Sequence, residues 1–308
     1  MDRIFSCKEM YYGTQDVFSY RSNENGSLQL VNIPEDLSKY YPIDYHCHSL
    51  AVSDSTNVRQ ALSLKRDKAI AHNSYLSPFR YVNVLRPTKS IVTAMGEIKL
   101  NRDLPILDVG CGGGRLLSHL DKLGFNNLSG ADPFLPESLV KLFPRITFHK
   151  SDIFNLNGKY HLIILDHSLE HMHDHEKVFS KIKELVVEKG FVLIRTPLSN
   201  CKAWDIYKQF WYQIDAPRHL FIHSYASLCS MIGNNGLLLR HVIFDSDFTQ
   251  FARSELYKRN ISMKEFLTGQ GNYLKYFSSA EMKTWKDLTK DVNRQHLGDQ
   301  ALFICQKV

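Results

Sequence analysis

Asp108, Gly110, Gly112 and Gly114 alternate with single intervening residues, directly after the apolar run Ile106-Leu107 and directly before Leu116, Leu117, Leu120 and Leu123, which recur at helical spacing as far as Gly124. A strand that turns through glycines into a helix lets backbone amides approach a ligand where any Cβ would obstruct it. Asp132 follows eighteen residues after Gly114, closing Asn127-Leu128-Ser129-Gly130-Ala131. A carboxylate at the tip of a second strand can accept hydrogen bonds from both hydroxyls of a ribose. These residues predict a nucleoside site. A dinucleotide loop wants G-x-G-x-x-G, and counted from Gly110 its third glycine would fall on Arg115. The loop turns one residue too soon for that ligand.

A second group of residues could move protons. The apolar strand Tyr160-His161-Leu162-Ile163-Ile164-Leu165 runs into Asp166-His167-Ser168-Leu169-Glu170-His171, at the kind of strand end where open α/β sheets bind ligands. Farther on, Ala216-Pro217-Arg218-His219-Leu220-Phe221 closes a stretch rich in aromatics: Trp204, Tyr207, Phe210, Trp211 and Tyr212. Histidine can take a proton from a hydroxyl near neutral pH and pass it to water, so His219 is the first candidate base and His171 the second. His167, His171 and His175 would share a face if their turn were helical.

The glycine loop resembles that of class I S-adenosylmethionine-dependent methyltransferases, whose first motif is an acidic residue followed by G-x-G-x-G. The tract from Leu165 to His171 is similar to the D-x-x-x-E-H tract, and Pro217-Arg218-His219-Leu220 to the P-R-H-L segment, of methyltransferases from bacterial surface-polysaccharide and small-molecule pathways. The resemblance implies S-adenosylmethionine as cofactor and S-adenosylhomocysteine as product, held by Asp108, Gly110, Cys111, Gly112, Gly114, Asp132, Pro133, Asp166 and His167. It gives Asp152 the exocyclic amine of adenine and Ile153 a face of the ring. It places Tyr212, Arg218 and Gln250 on the acceptor side, and it implies no metal. The expected activity is O-methylation of a sugar or other small hydroxylated acceptor, nucleotide- or lipid-linked, in surface-glycan synthesis. Methylation of a quinone-like hydroxyl, an amine or a carboxylate stays open, as does a cofactor-binding partner without transfer activity. The missing N/D-P-P-Y/F tetrad at Asp166-His167-Ser168-Leu169 argues against a nucleic-acid acceptor.

The elements that must position these groups follow from pattern. Strands and helices alternate from residue 104 onward, and Gly298 to Cys305 supplies a last strand with no crossover before it. The expected fold is α/β, a Rossmann-like seven-stranded sheet, mostly parallel, with a reversed C-terminal strand. Residues 104–308 would be the catalytic domain, with an acceptor-binding insertion at 198–225. Residues 56–103 read as a helical cover. Residues 1–55, with turn chemistry at Asn23-Glu24-Asn25-Gly26, look like a small degenerate zinc ribbon in which Ser22 and Asn25 replace the metal-binding cysteines. Cys7 with His46, Cys47 and His48 fits no common zinc spacing. The 308 residues are 44% hydrophobic and 23% charged, enough for a full core. No apolar run is of membrane length, and six cysteines without a C-x-x-C pair predict free thiols in the cytoplasm. A net charge of +6, spread along the chain, is too diffuse for a nucleic-acid patch.

Overall fold

The computed structural model describes residues 3–41, 58–82, 89–136 and 138–308. The chain opens with β1 (Arg3–Lys8) and β2 (Val17–Ser22), antiparallel with Arg3 opposite Ser22, followed by β3 (Leu28–Leu30). The Asn23 side chain accepts from Ser27 N across the turn between β2 and β3, a local bond that suits asparagine to tight turns. Strand alternation buries Cys7, Tyr20, Leu28 and Leu30. The segment does not close on itself. Its fourth strand is Phe221–Ile222, which pairs with Gln29 and Leu28, and its core is shared with Trp204, Tyr207, Trp211 and Ile214. The aromatics of the insertion are therefore mostly the far wall of the N-terminal sheet. His46, Cys47 and His48 lie outside the described residues.

α1 (Val58–Ala71) and α2 (Ser90–Ile98) place Ala71, Ile91, Val92 and Met95 in one core with Ile106, Leu117 and Leu162. The described part of 56–103 thus packs as a layer on the main sheet.

The main sheet begins with β4 (Ile106–Val109), α3 (Arg115–Leu123), β5 (Leu128–Ala131), α4 (Ser138–Leu142) and β6 (Ile146–His149). It continues through β7 (Tyr160–Asp166), α5 (His175–Leu185), β8 (Val186–Pro197), α6 (Lys202–Tyr207) and β9 (Phe221–Ile222). α7 (Tyr225–Asn234), β10 (Leu237–Phe244), α8 (Thr249–Lys258), α9 (Met263–Thr268), α10 (Ser279–Arg294) and β11 (Gln300–Lys307) complete the chain. The strand order is β10-β11-β8-β7-β4-β5-β6. The β8, β7, β4, β5 and β6 strands are parallel, whereas β11 runs antiparallel to both β8 and β10. This is the expected reversed last strand. Alternate residues of the central strands face opposite layers: Ile163 and Leu165 join α5 and α7, while Leu162 and Ile164 join α2 and α3. β8 starts straight after α5, earlier than the apolar run Phe191–Ile194 suggests, and Lys189 sits in the left-handed region at φ 61° where its register with β7 shifts.

Candidate active site

The loop after β4 is fastened to β5. Ala131 O accepts from Gly110 N (2.8 Å) and Cys111 N (3.2 Å), while the Asp132 carboxylate accepts from Gly112 N (3.0 Å) and Phe134 N (2.8 Å). Asp132 is first a staple of this loop. Ser168 Oγ, from the loop after β7, donates to Val109 O at 2.7 Å, and a Cβ on Gly110 (φ +76°) would lie 2.4 Å from Ser168 Cβ. Glycine is needed there on both conformational and steric grounds. Cys111 contributes backbone only. Its sulfur packs over Gly130, 2.7 Å from where a Cβ would be.

Asp152 caps the turn 153–155, its Oδ1 accepting from Phe154 N and Asn155 N. Ile153 is pulled into the core, 3% exposed, so it offers almost no face to a ring; Pro133 stands in the exposed turn after Asp132. Burial, and then the charges of Asp166 and Asp132, hold the Asp108 carboxyl well above the ordinary carboxylate range, with Lys89 opposing. Three carboxylates crowd the site, with Lys89 near Asp108 and Arg195 paired to Asp166.

The loop after β7 turns at His167, φ 54°, into a cavity of about 310 Å³. His167, His171, Tyr212, Asp215, His219 and Arg253 are among its walls. Glu170 stands buried behind them. Its Oε2 accepts from Thr196 Oγ1 (3.0 Å), and its Oε1 faces His167 Nδ1 (3.3 Å) and His219 Nε2 (4.0 Å). Burial opposes ionisation of Glu170, but the hydrogen bond and charge of His167 take it down to about 2. His219 Nδ1 lies 2.7 Å from Gln213 O, and His171 Nδ1 2.9 Å from Arg218 O. A carbonyl only accepts, so both Nδ1 atoms carry hydrogen, and in neutral His219 the lone pair is left on Nε2. Burial, then the neighbouring His171, push His219 down to about 4, although Asp215 and Glu170 pull the other way. His219 is therefore neutral at pH 7. The trio expected on one face does not assemble, because His175 turns to His223 Nε2 (2.8 Å) and Leu169 O. Glu170, His171 and His219 instead bring one ligand-type atom each within 4.8 Å of one another.

Two expected acceptor contacts are corrected. Arg218 is fully buried and does not line the cavity; it grips Asp215 twice (2.8 and 2.7 Å) and reaches Glu9 Oε1 at 3.0 Å. It is the strut between the insertion and the N-terminal sheet. Gln250 faces α10, its Nε2 3.5 Å from Thr289 Oγ1, because the side of α8 fronting the cavity is Thr249, Arg253 and Tyr257. That i, i+4, i+8 spacing was present in the sequence. Tyr11 also lines the cavity, and Tyr41 stacks on Phe134 while its hydroxyl reaches His171 Nδ1 (3.0 Å); no local signal marked either.

The family described as a methyltransferase domain matches residues 79–242, just over half of the chain. The chain belongs to that family. Those residues are a methyltransferase domain. Over 113 residues the methyltransferase is 29% identical to the ubiquinone biosynthesis O-methyltransferase of Rickettsia bellii, a match that takes in 33% of this chain and 45% of that relative. The chain thus spans less than half the length of the curated relatives it matches. Among solved structures it is similar to the cyclopropane synthase MmaA2 from Mycobacterium tuberculosis (TM-score 0.48, 15% identity, 83% of this chain and 100% of that one). It is also similar to a geranyl diphosphate methyltransferase solved with its cofactor (TM-score 0.45, 13% identity, 68% and 80%). The residues present fit the donor. The buried Asp108 carboxyl, with Asp132 and Asp166 beside it, suits S-adenosylmethionine, which bears an ammonium and a sulfonium.

Proposed function

We propose that this methyltransferase O-methylates a small hydroxylated acceptor, a sugar in surface-glycan synthesis being the favoured class, with His219 as the general base. The observation that carries this reading is the tautomer of His219: Nδ1–H is committed to Gln213 O, leaving a lone pair on Nε2 at the cavity wall, 4.0 Å from both Glu170 and Asp215. When bound, S-adenosylmethionine supplies an electrophilic methyl group on a sulfonium. Gly110, Gly112, Gly114 and Asp132 would hold its amino-acid and ribose parts, with Asp152 at the base. His219 takes the hydroxyl proton, and the two carboxylates stabilise the imidazolium so formed. Arg195, tied to Asp166 (3.2 Å) and Asp245 (2.6 Å), keeps the end of β7 in place. Placement is worth about 7–11 kcal/mol of barrier and a base only 10²–10⁴-fold, so positioning is the larger contribution.

The Rickettsia relative favours a second reading, a quinone-like ring hydroxyl. Transfer of tritiated methyl from labelled S-adenosylmethionine to fractionated cell extract separates the two. Label in a water-soluble glycan precursor supports the first; label in the lipid phase supports the second; label in neither, with S-adenosylhomocysteine bound, contradicts both. No helix among the described residues is long and apolar enough to cross a membrane.

A further inference from the structure

We infer that the acceptor carries an oxyanion, a carboxylate or a phosphate, and that Arg253 and Tyr257 form the subsite that takes it. The inference rests on the methyl-transfer reading of the same cavity. The two residues stand one turn apart on α8 and both line the cavity. Arg253 is held from behind and on its face. Its Nε donates to Tyr273 Oη at 3.2 Å, and the guanidinium carbon lies 5.3 Å from the centre of the Tyr212 ring. Its Nη1 and Nη2 make no hydrogen bond, and no carboxylate comes within 4.0 Å of it, among the described residues. The Tyr257 hydroxyl likewise has no hydrogen-bond partner among them, although the residue is 5% exposed.

The neighbouring charges are accounted for. Arg195 is shared between Asp166 and Asp245, and Arg218 between Asp215 and Glu9. Asp247 sits exposed, accepting from Thr249 N at 2.7 Å. Arg253 alone among these arginines presents a cation with no counter-charge. Sheltered charges are normally paired, and the parallel N–H edge of a guanidinium matches two oxygens of a carboxylate or phosphate. His219 lines the same cavity of about 310 Å³, so one small acceptor can meet both. A site built this way rejects neutral analogues, because they leave its donors unpaired.

The test uses the full chain saturated with S-adenosylhomocysteine, titrated calorimetrically at constant ionic strength with glucuronate, glucose 1-phosphate and glucose. Binding of one of the charged sugars at least tenfold tighter than glucose is expected, and which one wins names the oxyanion. Arg253→Gln should abolish the preference, Arg253→Lys should keep part of it, and Tyr257→Phe should reduce it. Absence of any preference in the wild type, or its persistence in Arg253→Gln, overturns the subsite. Binding of S-adenosylhomocysteine is read separately in every protein. Its absence in the wild type overturns the methyl-transfer reading, whereas its presence without oxyanion preference overturns the subsite alone.

Discussion

Gly110→Ala probes the tightest contact of the cofactor loop. An L-residue at φ +76° carries left-handed backbone strain of about 1–2 kcal/mol. The new methyl would stand 2.4 Å from Ser168 Cβ, an overpacking that costs typically about 1–3 kcal/mol more. The expected destabilisation is roughly 2–5 kcal/mol. The two parts separate in a double-mutant cycle. Ser168→Gly alone loses the Oγ bond to Val109 O, about 0.5–1.5 kcal/mol. In the double mutant the overpacking vanishes and the strain remains, so the pair should couple by about 1–3 kcal/mol. Urea unfolding of the four proteins, with and without S-adenosylhomocysteine, reads both terms. The double mutant should also recover more of the ligand-induced stabilisation than Gly110→Ala alone. Additivity within about 0.5 kcal/mol would refute the claim that Ser168 is what forbids a side chain at 110.

Two further outcomes concern stability. Arg218→Ala takes the guanidinium away from buried Glu9 and half-buried Asp215 and should cost about 3–5 kcal/mol in urea unfolding, with Arg218→Lys intermediate; a loss below about 1 kcal/mol would remove it as the strut. Acid should act on the fold in a defined window. Burial pushes His223 down to about 3 and His219 to about 4, so below pH 6.5 the unfolded chain takes up protons that the native state refuses. Their contribution is complete above that pH and shrinks as pH falls toward those values, and Glu170, held near 2, acts in the same direction below about 4.5. Asp299, whose buried carboxyl is pushed up to about 7, gains stability over the same window and opposes them, so the reading is a difference. Between about pH 7 and 5 the melting temperature of His223→Asn should drop less, or rise more, than that of the wild type, and identical slopes would show that the His175–His223 pair does not titrate with folding.

The legible parts of the molecule were local. The glycine loop, Asp132 and the alternation of strands and helices after residue 104 are set by residues near one another in sequence, and the structure has them where pattern puts them. What escaped was set by docking. Arg218 sits in a motif that suggests a substrate contact, but its burial depends on Glu9, whose carboxylate also accepts from the amides of Tyr11, Tyr12, Gly13 and Thr14. The face of α8 that fronts the cavity is chosen by how the helix packs on α10, which brings Arg253 to the cavity and turns Gln250 toward Thr289. The insertion aromatics could fill a pocket or a core, and only the N-terminal sheet, completed by Phe221–Ile222, decides for Trp204, Tyr207 and Trp211. The Glu170 carboxylate joins His167, Thr196 and His219, drawn from three separate segments, a convergence no local pattern displays.

The central claim is that His219 takes the acceptor's proton while the glycine loop holds the donor. His219→Ala, assayed for labelled-methyl transfer to the acceptor found in cell extract, tests it most directly, with S-adenosylhomocysteine affinity measured on the same preparation. A fall in kcat of about 10²–10⁴-fold with that affinity unchanged is the predicted result. An unaltered kcat would contradict it.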